Sequence, residues 1–129
     1  MSVEELIAQA YAHDREGRER EAIRYYDEAY HLGVPAEHKR RFLVGYGSTL
    51  RNVKRVDDAV GVLAQAIADD PEYPAYVPFL ALALLDAGHP KAALAAMLGC
   101  VLDVAKPGAL DGYERALAEY HQLLLAPSE

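Results

Sequence analysis

The chain has 129 residues, of which 52% are hydrophobic and 26% charged, a composition typical of one globular domain. Its single cysteine, Cys100, excludes an internal disulfide and suits a reducing compartment. The start MSVEELIAQA carries acids where a secretory signal needs positive charge. The longest apolar run, residues 73–85, is shorter than the about 20 residues that cross a bilayer. These features predict a cytoplasmic protein.

The net charge of −7 is spread unevenly along the chain. Residues 37–55 hold six Lys or Arg against the single acid Glu37, while both ends are acidic. General nucleic-acid binding needs a basic surface, so the acidic ends argue against it. The basic middle has two interpretations: a solvated face that balances neighbouring acids, or a surface that receives an acidic partner segment.

The first predicted helix begins at Ser2, which forms a capping-box pattern with Glu5. A turn is expected at Gly17, because tight turns between helices often need a positive φ that glycine adopts without strain. The second predicted helix contains EAIRYYDEAY. It carries two small residues seven positions apart with a large residue between them, namely Ala22, Tyr26 and Ala29.

This small–large–small trio returns twice along the chain, each time after another apolar helical segment. FLVGYGSTL precedes DAVGVLAQAI, and VPFLALAL precedes AALAAMLGCV. The alanines that open the three trios, Ala22, Ala59 and Ala93, are separated by 37 and then 34 residues. Each helix pair has an apolar face too large to leave bare, so the copies are expected to stack. The later trios are Ala59/Leu63/Ala66 and Ala93/Met97/Cys100.

The turn of the third copy also contains a glycine, whereas the turn of the middle copy does not. Gly88 stands at the turn of the third copy, and Pro90 falls in the first helical turn after it, where a missing N–H is harmless. Lys54 occupies the turn of the middle copy, so strained backbone is expected there. Three extra residues between the first two copies lie in YHLGVPAEHK.

The last segment, DGYERALAEYHQLLL, is expected to form a helix that is apolar inside and polar outside, as the end of a stack requires. Asp111 and Glu114 resemble a capping box at its start. The residues expected to face the stack are Tyr113, Ala116, Leu117, Tyr120 and Leu124.

The middle copy resembles the tetratricopeptide repeat, whose 34-residue pattern is W-x2-L-G-x2-Y…A-x3-F…P. The third copy fits less closely because Pro107 comes two residues late, and the first is the weakest because Gln9 and His13 replace large apolar residues. The stretches LVGYGSTLRNVKRVDDAVGVL and FLALALLDAG are similar to those of small, stand-alone bacterial three-repeat tetratricopeptide proteins of unassigned function. The matching residues of the middle copy are Leu43, Tyr46, Gly47, Leu50, Ala59, Leu63, Ala66 and Pro71.

The resemblance implies an all-α fold, a right-handed superhelical stack of three helix-turn-helix repeats plus a C-terminal capping helix. One domain would span residues 1–129, with repeats at about 3–35, 40–73 and 74–107 and the capping helix at about 110–125.

In tetratricopeptide proteins the first helix of each pair lines a concave groove that holds a segment of another protein. The resemblance therefore implies a non-catalytic adaptor or scaffold whose partner is a protein or peptide, with an acidic segment facing the basic residues. It also places Ile7, Asp14 and Arg15 near the groove. The groove residues that it implies are Tyr11, Arg41, Val44, Ser48, Arg51, Asn52, Phe79, Leu82 and Asp86.

The stretch FLALALLDAG leaves Phe79, Leu82 and Leu85 as an apolar surplus. Burying a large apolar side chain stabilises a protein by about 1.5–3 kcal/mol, so something is expected to cover them. Three alternatives stay open: the chain's own C-terminal helix, a partner segment, or a second copy. The last would make the protein a structural module that forms a homodimer through its apolar groove.

No residue pattern indicates catalysis or metal binding. Cys100 occupies the small-residue slot held by Ala29 and Ala66, so it is expected to be a buried spacer. The five histidines lack metal-ligand spacing, and no glycine-rich phosphate loop is present. The sequence therefore predicts a protein that is not an enzyme, uses no metal or cofactor, and binds neither nucleic acid nor a membrane.

Overall fold

The computed structural model describes residues 1–127, which form α-helices, one short 3-10 turn at Ala36–His38 and no strand. The prediction of an all-α chain is confirmed. The helices are α1 (Val3–Arg15), α2 (Glu19–Leu32), α3 (Lys39–Asn52), α4 (Val56–Asp69), α5 (Tyr76–Asp86), α6 (Pro90–Val104) and α7 (Glu114–Leu125).

The first six helices form three stacked pairs. α1 packs on α2, α3 on α4 and α5 on α6, and the second helix of each pair also contacts the first helix that follows it. In addition, α1 contacts α3 and α3 contacts α5. Each apolar face is thus shared between a pair and its neighbour, which is how helical repeats bury a continuous core.

The predicted caps and turns of the helix pairs are confirmed. At the start of α1, the Glu5 backbone N–H donates to Ser2 Oγ over 3.1 Å and the Ser2 N–H donates to Glu5 Oε1 over 3.0 Å. The turns have positive φ at Gly17 (73°), Lys54 (73°) and Gly88 (88°). Lys54 therefore adopts the left-handed conformation that disfavours side chains other than glycine.

The core of the first two pairs is built around the Tyr26 ring, which is fully buried. Its centroid lies 5.3 Å from that of Phe42 and 5.8 Å from that of Tyr46. The Tyr26 hydroxyl donates to Asp14 over 2.7 Å, and the Tyr46 hydroxyl donates to Asp27 over 2.6 Å. Burial, and then these bonds to carboxylates, raise the pKa of both phenols. The two hydroxyls therefore remain neutral donors at physiological pH.

Two glycines allow α3 to approach its neighbours closely. A Cβ on Gly47 would lie 2.6 Å from Leu63 Cγ on α4, and a Cβ on Gly45 would lie 2.5 Å from the Tyr26 hydroxyl on α2. Both distances are shorter than real side-chain contacts, so only glycine fits without displacing a core residue.

The third pair buries much less large apolar surface than the first two. Tyr76 is its one large buried residue, and its other buried side chains are alanines at positions 81, 83, 93 and 95. Six large apolar side chains of this pair are instead between 40% and 58% exposed on α5 and α6, namely Leu82, Leu85, Leu94, Met97, Val101 and Val104.

Helix α7 packs on α6 and, within residues 1–127, on no other helix. A Cβ on Gly99 would lie 2.9 Å from His121 Nε2, so this glycine admits the α7 side chain. The half-buried positions Leu117, His121 and Leu124 recur at i, i+4 and i+7, which places them on one face of α7.

The expected inner face of the last helix is wrong at three positions, because Ala116, Tyr113 and Tyr120 are all exposed. Tyr113 and Tyr120 are 66% and 61% exposed, because α7 contacts α6 through a different stripe. The expected capping box at Asp111 is also wrong. Helix α7 starts at Glu114 after Tyr113 without a side-chain cap, and Asp111 has a φ of 53° in the preceding turn. The open alternative of a C-terminal helix covering Leu82 and Leu85 is excluded too, because α7 does not contact α5.

Candidate partner-binding groove

Three of the predicted groove residues meet in one pocket between α1 and α3. Tyr11 comes from α1, while Arg41 and Val44 come from α3 and lie three residues apart on one face. The pocket has a volume of about 330 Å³. Its remaining lining residues are Asp14, Arg15, Tyr26 and Gly45.

The Tyr11 side chain forms the apolar wall of this pocket. The Arg41 guanidinium carbon lies 4.4 Å from the centre of the Tyr11 ring, a cation–π distance. The Tyr11 hydroxyl is buried and has no hydrogen-bond partner within residues 1–127. Burial raises the pKa of this hydroxyl, and the charge of Arg41 partly opposes the rise. Tyr11 is therefore a neutral donor whose hydrogen bond is unused.

The pocket carries excess positive charge. Among the described residues, neither Arg15 nor Arg41 forms a salt bridge. The nearby acid, Asp14, already accepts the hydrogen bond of Tyr26. Two exposed guanidiniums and a buried hydroxyl are all hydrogen-bond donors, so the group that complements them is an acceptor with negative charge.

Further along the groove, Arg51 and Asp86 pair with each other. Arg51 Nε lies 2.7 Å from Asp86 Oδ2, which links α3 to α5. Ser48 is half-buried one turn before Arg51 on the same helix. An acidic partner at Arg51 would have to compete with Asp86, so the uncommitted positive charge lies at Arg41 rather than at Arg51.

The remaining predicted residues do not join this pocket. Asn52 lines a separate pocket together with Arg20 of α2 and Lys54 of the turn between α3 and α4. Phe79 is half-buried and packs on the cluster of Leu63, Ala66 and Tyr76, because it lies on the side of α5 that contacts the second pair. Leu82 is exposed.

The sequence model of the family described as Tetratrico peptide repeat matches residues 4–124. The chain is a tetratricopeptide repeat protein. The match extends into α7, so the last helix belongs to the family unit together with the three pairs. Repeats of this family act as modules for protein–protein interaction. No curated protein and no solved structure is significantly similar to the chain.

The described part of this tetratricopeptide repeat protein has few side chains arranged for nucleophilic chemistry or metal binding. Cys100 is half-buried, with Sγ 3.9 Å from the carbonyl oxygen of Pro74. Residues 1–127 contain no cluster of three or more side chains suited to a metal ion. Each of the helices described is too short or too polar to cross a membrane.

Sequence reasoning missed the exposed apolar surface of α6 in this tetratricopeptide repeat protein. Met97 and Val101 occupy the same register as Leu63 and Ile67, 34 residues earlier. Those two positions are covered by the first helix of the next pair, whereas no further pair follows the third one within residues 1–127. The position of the last trio in the chain was therefore the signal that could have revealed this surface.

Proposed function

We propose that this protein is a cytoplasmic, non-catalytic adaptor that binds an acidic segment of a partner protein in its concave groove. The observation that supports the proposal is the pocket between α1 and α3, where Arg41 covers the ring of Tyr11 and Arg15 stands nearby. Family membership supports the general role in protein–protein interaction.

The chemistry of the pocket favours a carboxylate on an extended or helical segment. Arginine presents a planar fork of donors that fits a carboxylate, and a charge-assisted bond of this kind contributes about 1.5–3 kcal/mol. The Tyr11 hydroxyl, which has no hydrogen-bond partner within residues 1–127, would be a third donor for an acceptor that reaches it. The apolar wall of Tyr11 and Val44 would accommodate an aliphatic side chain next to the acid.

The alternative function, a homodimer through the groove, has weaker support. It required Phe79, Leu82 and Leu85 to share one apolar groove surface. Phe79 packs on the second pair instead, and the Arg51–Asp86 ion pair lies between α3 and α5. The groove is thus polar at its centre, which suits a polar peptide better than an apolar second copy.

Fluorescence polarisation with labelled decapeptides tests the proposal. In three matched probes, leucine alternates with aspartate, lysine or serine. We expect the aspartate probe to bind about tenfold or more tightly than the other two, because only its carboxylates pair with the guanidiniums. The affinity should fall as salt is added.

Two variants locate the site. Arg41→Gln and Tyr11→Phe should each weaken the aspartate probe, the first about tenfold because it removes a charge-assisted bond. Arg24→Gln is the matched control, since Arg24 is exposed on α2 and does not line the pocket. Equal binding of the aspartate and lysine probes, or unchanged binding by Arg41→Gln, would overturn the proposal.

A further inference from the structure

Five of the exposed large apolar residues of the third pair make up what we call the end face: Leu82 and Leu85 on α5, and Leu94, Met97 and Val101 on α6. The α6 members lie at i, i+3 and i+7, which places them on one side of the helix. The α5 members lie three residues apart. None of the five lines the groove pocket at Tyr11.

Register with the second pair shows which way the α6 residues face. Met97 and Val101 correspond to Leu63 and Ile67 of α4, 34 residues earlier. Leu63 is fully buried, and the cluster around it includes Ile67 and Tyr76 of α5. The end face is therefore the surface of the third pair that a further helix would cover.

Helix α5 agrees with this assignment. Leu82 and Leu85 correspond to Ser48 and Arg51 of α3. Arg51 reaches across to Asp86 on α5, so this side of α3 faces the following pair. The same side of α5 carries two leucines and no following helix within residues 1–127.

The chain contains two helices that cover this kind of surface, and they share a pattern. α3 covers the first pair and α5 covers the second. Each presents an aromatic residue, a large residue four positions later and a small residue three positions after that. Five of these six side chains are buried and Leu80 is half-buried: Phe42, Tyr46 and Thr49 in α3, and Tyr76, Leu80 and Ala83 in α5.

We propose that the end face binds an amphipathic helix of another protein with the pattern aromatic-x3-large-x2-small, docked as α5 docks on the second pair. The two internal interfaces specify the chemistry of this ligand, because the end face continues the same stack. The end face is also nearly neutral: α5 and α6 carry Asp86, Asp103 and Lys91 as their charged residues. Apolar packing, rather than charge, would therefore hold the ligand.

Apart from α3 and α5, which are already packed inside the stack, no helix of residues 1–127 carries this pattern within its own bounds. In α7 the closest alignment is Tyr113, Leu117 and Tyr120, which puts a tyrosine in the small slot. Helix α7 accordingly packs on another side of α6, at Gly99. A second copy stacked head to tail would offer α1, whose corresponding residues are Glu5, Gln9 and Ala12. Two of these are polar, so α1 ends the stack instead of extending it.

The end face of a second copy would fit this surface less well than a helix that has a small residue at the last position of the pattern. In both internal interfaces a small residue, Thr49 or Ala83, lets the helices approach closely. Two end faces would oppose large residues to large residues. This proposal does not depend on the proposed groove function, because the end face has no residue in common with the pocket at Tyr11.

A synthetic peptide of residues 38–54 with Gly47→Ala tests the proposal. It carries the α3 pattern, it has five Lys or Arg for solubility, and the alanine favours the helix where no α4 is present to clash. The control peptide has the same composition, with Phe42 and Ser48 exchanged. We expect the test peptide to bind the full chain with a Kd on the order of 100 µM. In methyl NMR spectra it should shift the Met97 signal.

Variants of the protein separate the end face from the groove. Met97→Glu and Leu94→Glu place a charge in the centre of the end face and should each weaken the peptide at least about tenfold. Both positions are exposed, so the variants should fold, as circular dichroism would verify. Arg41→Gln, in the groove, should bind the peptide as the wild type does.

Two results would overturn the proposal. One is equal binding of the two peptides, or equal binding by Met97→Glu and the wild type. The other is a dimer in sedimentation that Met97→Glu dissociates, which would assign the end face to a second copy. Selective binding of the test peptide to a monomeric protein supports the proposal, and this outcome is independent of whether the aspartate probe binds at the groove.

Discussion

The first two helix pairs and the third follow the same small–large–small spacing but bury very different side chains. In the described chain, 13 of the 18 buried apolar residues lie within residues 1–66, whereas ten of the 13 exposed large apolar residues lie from Leu82 onward. The core of a stacked pair is therefore completed by its successor. Identical patterns give buried or exposed large side chains depending on whether a further helix covers that face.

The sharpest single comparison is between Leu63 and Met97, which occupy equivalent slots. Leu63 is fully buried beneath α5, whereas Met97 is 40% exposed at the end of the stack. Substituting each residue by alanine and comparing the losses in the free energy of unfolding measures how much a covering helix contributes to stability.

Leu63→Ala should lower the free energy of unfolding by about 3 kcal/mol, because it leaves a cavity in a packed core. Met97→Ala, the matched variant, should lower it by less than about 1 kcal/mol, because much of its surface is already in water. Urea denaturation followed by circular dichroism measures both. Similar losses in the two variants would show that the third pair is covered in solution.

Gly47→Ala should lower the free energy of unfolding by about 1–3 kcal/mol, because its Cβ would lie within 2.6–2.8 Å of three Leu63 carbons. Gly61→Ala is the control inside the neighbouring helix α4. A Cβ there has nothing within 4 Å, so the higher helix propensity of alanine should stabilise the protein by about 0.5–1 kcal/mol. The two variants should shift the melting temperature in opposite directions; a shared direction would contradict the close contact.

Stability should fall as the pH rises above about 10, where an unfolded tyrosine ionises. The folded-state pKa values of Tyr26 and Tyr46 are raised, so their contribution is fully present below that pH and is lost above it. Each can add a slope of up to about 1.4 kcal/mol per pH unit. Denaturation at pH 9, 10 and 11 should show a smaller slope for Tyr46→Phe, and an unchanged slope would refute this account.

Lys54→Gly should raise the free energy of unfolding by about 0.5 kcal/mol. A left-handed lysine costs about 1–2 kcal/mol, and the greater freedom of glycine in the unfolded chain offsets part of the gain. Gly88→Lys, at the equivalent turn of the third pair, should destabilise the protein instead. Thermal denaturation distinguishes them, and a loss of stability in Lys54→Gly would contradict the strain at this turn.

Much of the fold could be predicted because local rules fix it. The capping box at Ser2, the positive φ at Gly17 and Gly88 and the buried alanines at 22, 59 and 93 all depend on nearby residues or on the repeat register. The position of α7 could not be predicted, because this helix carries two apolar stripes. Periodicity alone does not decide between Leu117 with Leu124 and Tyr113 with Tyr120.

The helices that carry the candidate groove residues could be predicted, but the contacts of those residues could not. Register placed Tyr11, Arg41 and Val44 on the first helices of their pairs, and the structure brings them to one pocket. The repeat register could not show that Arg51 pairs with Asp86, because that contact joins residues 35 positions apart in the sequence. Phe79 was also ambiguous, since neighbouring faces of α5 are both apolar and only packing assigns one to the core.

The two glycines inside α3 have a consequence for how the chain folds. Each lowers the intrinsic stability of an isolated helix by about 1 kcal/mol relative to alanine, so α3 is a poor helix in the absence of its neighbours. It becomes ordered when α2 and α4 are present to fill the space that the missing side chains leave. The first two helix pairs, α1 to α4, should therefore unfold in one cooperative transition instead of pair by pair.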